Sequence, residues 1–225
     1  MLAIFITGSG TGVGKTFVTK GLIAHYRSAG MPVDALKPIV SGFDPAAPQD
    51  SDTAILIEAL GRSATAREIE RVSPWRFREP LSPDMAARAE GRTIHFDSVT
   101  GYCRAAIATT RATVLIEGIG GIMVPLGPRY TVLDLMGVLK APLILVGGSY
   151  LGTLSHVLSA QDALLHRGLD LRAVVVCESE GAPPPLHEVL TTLSDFVSVP
   201  LIGFARQVAE GEKSEAFQRL AAMFA

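Results

Sequence analysis

Cysteine is nearly absent from this chain: Cys103 and Cys177 are the only two in 225 residues. Two widely separated thiols exclude a disulfide framework and a cysteine-built metal site, and they fit a reducing compartment. Charge is also scarce and balanced. Charged residues make up 19% of the chain, and 20 Lys and Arg against 22 Asp and Glu leave a formal net charge of −2. Without a basic excess or a polybasic cluster, the composition argues against nucleic acid or an anionic membrane surface as partner. Long apolar runs are missing too. Stretches such as Pro142-Leu143-Ile144-Leu145-Val146 are far too short to span a bilayer. The apolar start, Leu2-Ala3-Ile4-Phe5-Ile6, runs straight into a glycine-rich stretch and does not read as a signal peptide. A cytoplasmic location is expected.

What is present is a 48% hydrophobic chain, long enough for one large α/β domain spanning residues 1–225. Short apolar runs predict strands at Leu2–Thr7, Val33–Pro38, Thr113–Glu117, Leu143–Gly147, Ala173–Cys177 and Leu201–Phe204. Several are apolar almost throughout, as in parallel strands buried on both faces. Helical patterns lie between them, at Thr16–Ser28, Asp52–Leu60, Phe96–Ala108, Thr153–Arg167, Pro185–Phe196 and Ser214–Phe224. Ser41–Asp50 and Gly181–Pro185 read as loops. The alternation predicts a doubly wound, mainly parallel sheet flanked by helices, with ligands at the carboxyl ends of the strands.

At the first of those ends stands Gly8-Ser9-Gly10-Thr11-Gly12-Val13-Gly14-Lys15-Thr16. A strand, a glycine-rich turn, Lys-Thr and a helix make a phosphate cradle. Backbone N–H groups and the helix N-terminus face an oxyanion, Lys15 reaches the β- and γ-phosphates, and the Thr16 hydroxyl suits Mg²⁺. Aligned on Gly14-Lys15-Thr16, the usual G-x-x-x-x-G-K-[ST] spacing puts Ser9 where the first glycine belongs, so the loop is one residue long.

Glu117 ends a core strand and precedes Gly118-Ile119-Gly120-Gly121, the Walker-B placement of a carboxylate near Mg²⁺. Lys37 ends the second strand. It is either a second cation in the crevice, suited to the charge of phosphoryl transfer, or a solvated strand-end lysine. Asp52 opens a helix, where the dipole alone would favour an acid. The turn before Thr153-Leu154-Ser155 leads into a helix N-terminus that is either a carboxylate site or a plain capped turn.

Together these segments resemble the dethiobiotin synthetase family. The resemblance rests on Thr7-Gly8…Thr11…Val13-Gly14-Lys15-Thr16, Lys37-Pro38-Ile39-Val40-Ser41-Gly42, Ser51-Asp52, Pro80-Leu81-Ser82-Pro83, Glu117-Gly118-Ile119-Gly120-Gly121 and Leu151-Gly152-Thr153…His156, in family order from residue 2 to about 200. The Lys-Pro-x-x-Ser-Gly segment is the most specific, and the long phosphate loop fits the same family. A P-loop NTPase-like fold follows. So does an ATP-dependent cyclo-ligase for which 7,8-diaminopelargonate and CO₂ form a carbamate, a nucleoside triphosphate phosphorylates it, and ring closure yields dethiobiotin.

The resemblance implies catalytic roles for Thr11, Lys15 and Lys37. It implies nucleotide contacts from Gly12, Val13, Gly14, Lys15, Thr16, Glu117 and Cys177, and Mg²⁺ held by Thr16, Asp52 and Glu117. Substrate would meet Thr11, Lys37, Ser41 and Gly118. In a homodimer, the partner subunit's Gly152, Thr153, Leu154 and Ser155 would hold the distant carboxylate. Three positions depart from the family. Cys177 stands where Asn often helps to read adenine, Phe204-Ala205-Arg206 replaces a Glu-x-Pro stretch near the base, and Asp84 replaces a His after Ser-Pro. The first two loosen the expected reading of adenine, so ATP or another nucleoside triphosphate is the expected co-substrate. The competing readings are a related P-loop ligase and a nucleotide-binding regulatory module. Retention of Lys37, Asp52 and Glu117 weighs against the module.

Overall fold

Six apolar segments lie side by side as one parallel sheet. They are β1 (Ala3–Gly8), β2 (Val33–Leu36), β5 (Thr113–Glu117), β8 (Leu143–Gly148), β9 (Leu171–Cys177) and β10 (Leu201–Phe204), in the order β10-β9-β8-β1-β5-β2. The computed structural model describes residues 2–181, 184–207 and 209–224. All six predicted strands are present. The second stops at Leu36, short of its expected end at Pro38, and the Lys37 N–H turns away to donate to the Val72 carbonyl. Pro38 has no N–H to offer a ladder.

The continuous apolar runs are explained by burial on both faces. Ile4 and Ile6 of β1 pack into one core with α1 (Lys15–Ser28), α2 (Asp52–Ala59) and α9 (Glu210–Ala222). Phe5 enters the other, with α5 (Phe96–Thr109), α6 (Val132–Leu139), α7 (Thr153–His166) and α8 (Leu186–Ser194). β1 feeds α1 and then β2 at one edge, whereas the chain leaving β5 crosses over to β8 on the other side of β1. The crevice at this reversal lies outside the carboxyl ends of β1, β5 and β8.

Smaller elements complete the chain. β3 (Ile39–Ser41) pairs in parallel with β4 (Trp75–Phe77), β6 (Pro125–Gly127) pairs with β7 (Tyr130–Thr131), and α3 (Ala66–Val72) and α4 (Pro83–Ala89) flank β4. None of these, nor α6, is predicted above. The predicted loop 41–50 holds the end of β3 and a 3₁₀ turn at Pro48–Asp50. Four of the predicted helices are off by one residue at one end, and two differ by more. α8 starts after Pro185, its N-cap, and α9 starts at Glu210, four residues before Ser214. The predicted loop 181–185 lies partly outside the described residues.

Candidate active site

The phosphate loop leaves β1 at Gly8 and closes on α1. Its path is set by a few anchors. The Ser9 N–H donates to Val146 of β8, Val13 is buried, and Gly14, the N-cap of α1, sits at φ +100°. Lys15 Nζ reaches back across the loop to the Gly10 carbonyl at 2.7 Å. Among the described residues, α1 and α7 are the two α-helices with no acid in the first turn, and each has a glycine N-cap in the left-handed region. The other seven carry Asp or Glu in the first turn. An acid there would compete with an anionic ligand for the free N–H groups and the helix dipole.

Lys15, Thr16, Lys37 and Asp52 line one cavity of about 600 Å³, together with Thr11, Gly12, Ser41 and the segment 80–83. Lys37 is no solvated strand-end cation. Its ammonium is buried and donates to Asp52 Oδ2 and Glu117 Oε1, both at 2.5 Å. Burial opposes its charge, but the two carboxylates outweigh burial and hold its pKa above the ordinary value. Thr16 Oγ1 donates to the same Glu117 oxygen at 2.7 Å. The second carboxylate oxygen, Oε2, is buried without a hydrogen-bond partner among the described residues. Asp52 therefore does more than start a helix: its carboxylate turns into the crevice, while Ser51 supplies the cap.

Thr16, Asp52 and Glu117 offer only oxygen atoms, which suits Mg²⁺, and the orphaned Oε2 is an acceptor that a cation would satisfy. Among the described residues no group of three or more His, Cys, Asp and Glu converges.

Burial and the neighbouring Lys37 charge bring the Lys15 ammonium down from 10.5 to about 8, with Glu117 and Asp52 pulling the other way. A polyphosphate favours the charged form. Above pH 8 the empty site holds Lys15 partly neutral, so nucleotide binding draws a proton from solution. At pH 7 Lys15 is already charged. Calorimetry in two buffers of different ionisation enthalpy should show uptake approaching about one proton at pH 9 and none from Lys15 at pH 7. No uptake at pH 9 would mean that Lys15 does not touch the phosphates.

A second cavity of about 450 Å³ opens on the other side of the loop, lined by Gly12, Val13, Gly14, Phe17, Cys177 and the ends of β9 and β10. Cys177 packs on the loop, and its thiol is pushed up to about 12 by burial, so it stays protonated. Several backbone donors here are already used. Glu178 N–H donates to Phe204, Ser179 N–H to Ser149 Oγ, and Arg206 N–H to Glu178 Oε2. Phe17, Ser179 and Lys213 also line this cavity and are not among the predicted residues. The rule that ligands collect at strand carboxyl ends, applied to β9 and β10, is the signal that would have found Ser179.

Two predicted substrate contacts are placed differently. Gly118 does not line the cavity; its N–H donates to Ile6 and its Cα packs against the Phe5 ring, so Ile119 and Gly120 form the wall instead. The Thr153 hydroxyl is buried and donates to the Gly148 carbonyl, while its N–H donates to Tyr150, so its polar groups serve the turn itself. Gly152, Leu154 and Ser155 also lie away from the cavity, at the start of α7 beside the fully displayed Leu151, which is 89% exposed.

The doubly wound sheet and the loop at its centre define a P-loop nucleotide-binding protein. A family model described as an AAA domain matches residues 3–209. A likeness of fold extends to the signal recognition particle receptor FtsY from Elizabethkingia anophelis, at a TM-score of 0.50 and 19% identity over 96% of this chain. This chain spans 65% of the length of that receptor. Sequence similarity is far stronger elsewhere. The ATP-dependent dethiobiotin synthetase BioD of Acidiphilium cryptum is 44% identical over 86% of this chain and 87% of its own length. That of Caulobacter vibrioides (strain NA1000 / CB15N) is 49% identical over 87% and 88%. That of Methylobacterium nodulans is 42% identical over 92% and 94%. The chain belongs to the dethiobiotin synthetase family.

Proposed function

We propose that this chain is an ATP-dependent cyclo-ligase that makes dethiobiotin from 7,8-diaminopelargonate and CO₂. One amine takes up CO₂ and loses a proton to form a carbamate. A carbamate oxygen attacks the γ-phosphorus of the nucleotide and ADP departs. The second amine attacks the carbonyl carbon, phosphate leaves, and the ureido ring closes. The observation that carries this reading is the convergence of Lys15, Thr16, Lys37 and Asp52 at one cavity beside the phosphate loop, with the buried Glu117 joining Thr16 to Lys37 behind it. The family relationship supplies the substrate.

In this reading Lys15 holds the transferred phosphoryl group, and Lys37 orients the carbamate and shares its charge. Thr11 and Ser41 offer hydroxyls to substrate. Thr16, Asp52 and Glu117 would hold Mg²⁺, which neutralises phosphate charge when bound. The triphosphate lies along Gly12–Thr16, with the base in the cavity beside Cys177. A protonated thiol cannot imitate an amide, so base selectivity is weak and the triphosphate dominates affinity. We place the protein in the cytoplasm as a homodimer, one domain per chain over residues 1–225, with neither membrane nor nucleic acid as partner. No helix among the described residues is long and apolar enough to cross a membrane. The acid-free N-terminus of α7, delivered by the partner subunit through Gly152, Leu154 and Ser155, takes the distant substrate carboxylate, and Thr153 shapes the turn.

The test is phosphate release by purified protein with Mg²⁺ and bicarbonate, with and without the diamine, using ATP and CTP in parallel. Diamine-dependent release is the expected result, with similar rates for the two nucleotides. Release that ignores the diamine would replace the ligase with a signalling NTPase.

A further inference from the structure

Ser82 belongs to the cavity wall and Asp84 stands behind it, bonded to its hydroxyl; neither has a part in the roles above. Ser82 lines the cavity that also holds Lys15, Lys37 and Ser41. It is the N-cap residue of α4, yet its side chain makes no cap to the helix. A serine in that place ordinarily accepts from the N–H groups of the first turn. Here the bond runs the other way, with Ser82 Oγ donating to Asp84 Oδ1 at 2.7 Å. The other Asp84 oxygen accepts from Arg88 Nη1 at 2.8 Å, and the carboxylate side chain is only 16% exposed. Burial works against its charge, but hydrogen bonds from Ser82, Arg88 and the Met85 N–H outweigh burial and hold the carboxyl below its ordinary range.

A hydroxyl has one proton and two lone pairs. With its proton committed to Asp84, Ser82 offers the cavity lone pairs alone. The cavity already holds two lysines suited to anionic oxygens. What a diamine also needs is an acceptor for an amine N–H. We propose that Ser82 accepts an N–H of the diamine substrate, and that Asp84, clamped by Arg88, is a positioning residue that turns Ser82 into an obligate acceptor. The inference rests on the dethiobiotin reading and adds an amine-reading group, which this reading left unassigned. It also gives Asp84, a departure from the family pattern, a use specific to this chain.

The test is steady-state kinetics on wild type, Ser82→Ala, Asp84→Ala, Asp84→Asn and the Ser82→Ala/Asp84→Ala double variant, varying the diamine and the nucleotide separately. Ser82→Ala and Asp84→Ala should each raise the diamine KM about tenfold, with the nucleotide KM within about twofold. Asp84→Asn keeps an acceptor for the Ser82 proton and should stay near wild type. The double variant should be no worse than Ser82→Ala, because Asp84 acts through Ser82. An unchanged diamine KM in Ser82→Ala, or additive losses in the double variant, would overturn the proposal. Should Asp84→Ala fail to fold, Ser82→Ala decides alone. Wild type without diamine-dependent turnover would instead refute the underlying activity, so the two failures are distinguishable.

Discussion

Replacing Lys37 with alanine is expected to lower the single-turnover rate of dethiobiotin formation by about three orders of magnitude or more. Its ammonium is one of two positive side chains at the reaction cavity and sits within 2.5 Å of both acids. The same change should destabilise the empty protein by about 3 kcal/mol, since removing one partner of a buried pair leaves a buried charge unmatched. Glu117 bears that loss, because its side chain is fully buried while that of Asp52 is 46% exposed. A second consequence separates a catalytic lysine from a structural one. In the variant, Asp52 and Glu117 have no cation between them, so Mg²⁺ alone should raise the melting temperature more than it does in wild type. Lys37→Arg should not restore the rate, because a planar guanidinium cannot place one compact charge between two carboxylates. A Lys37→Ala rate within tenfold of wild type would remove Lys37 from the chemistry.

Gly14→Ala should abolish nucleotide binding, raising Kd by about a hundredfold or more. Two independent obstacles act on the new methyl group. A Cβ at this position would lie 2.6 Å from Cys177 Sγ and 2.9 Å from Cys177 Cβ. The backbone φ of +100° is also strained for any residue with a side chain. Either the loop or β9 must move, and the loop amides facing the phosphates are displaced in consequence. Adding Cys177→Gly removes the collision and leaves the dihedral strain. The double variant should recover part of the affinity and not all of it, as read by calorimetric titration of the Mg²⁺–nucleotide. Full recovery would show that crowding alone excludes a side chain, and no recovery that the dihedral alone does.

The elements that carry the phosphates were legible because their signals are local. A strand, a long glycine loop, Lys15-Thr16 and a helix follow one another within about 30 residues, the span of such a unit. The core strands were legible because burial on both faces removes polar residues altogether. α6 was not, since the apolar Val132-Leu133-Asp134-Leu135-Met136 shows no clear helical period. Its only local signal is the capping box between Thr131 and Asp134. α3 and α4, at seven residues each, are too short to establish a period. Lys37 and Asp52 stood undecided in the sequence for a different reason. A strand-end lysine and a helix-start acid are commonplace, and only the bonds of Lys37 to Asp52 and to Glu117, 80 residues away, make them a site.

By itself, then, the sequence determined the class of fold, the position of the phosphate loop and the family, because backbone conformation and burial leave their mark on neighbouring residues. Tertiary structure alone decided that Lys37 bridges two carboxylates, that Cys177 rests against Gly14, that Gly118 packs on Phe5 rather than lining the cavity, and that Ser82 donates to Asp84 instead of capping its helix. Each of these depends on which way a side chain turns and on what the crossing of the sheet brings beside it. Charge interaction and close packing act through space, and the order of residues along the chain does not record that distance.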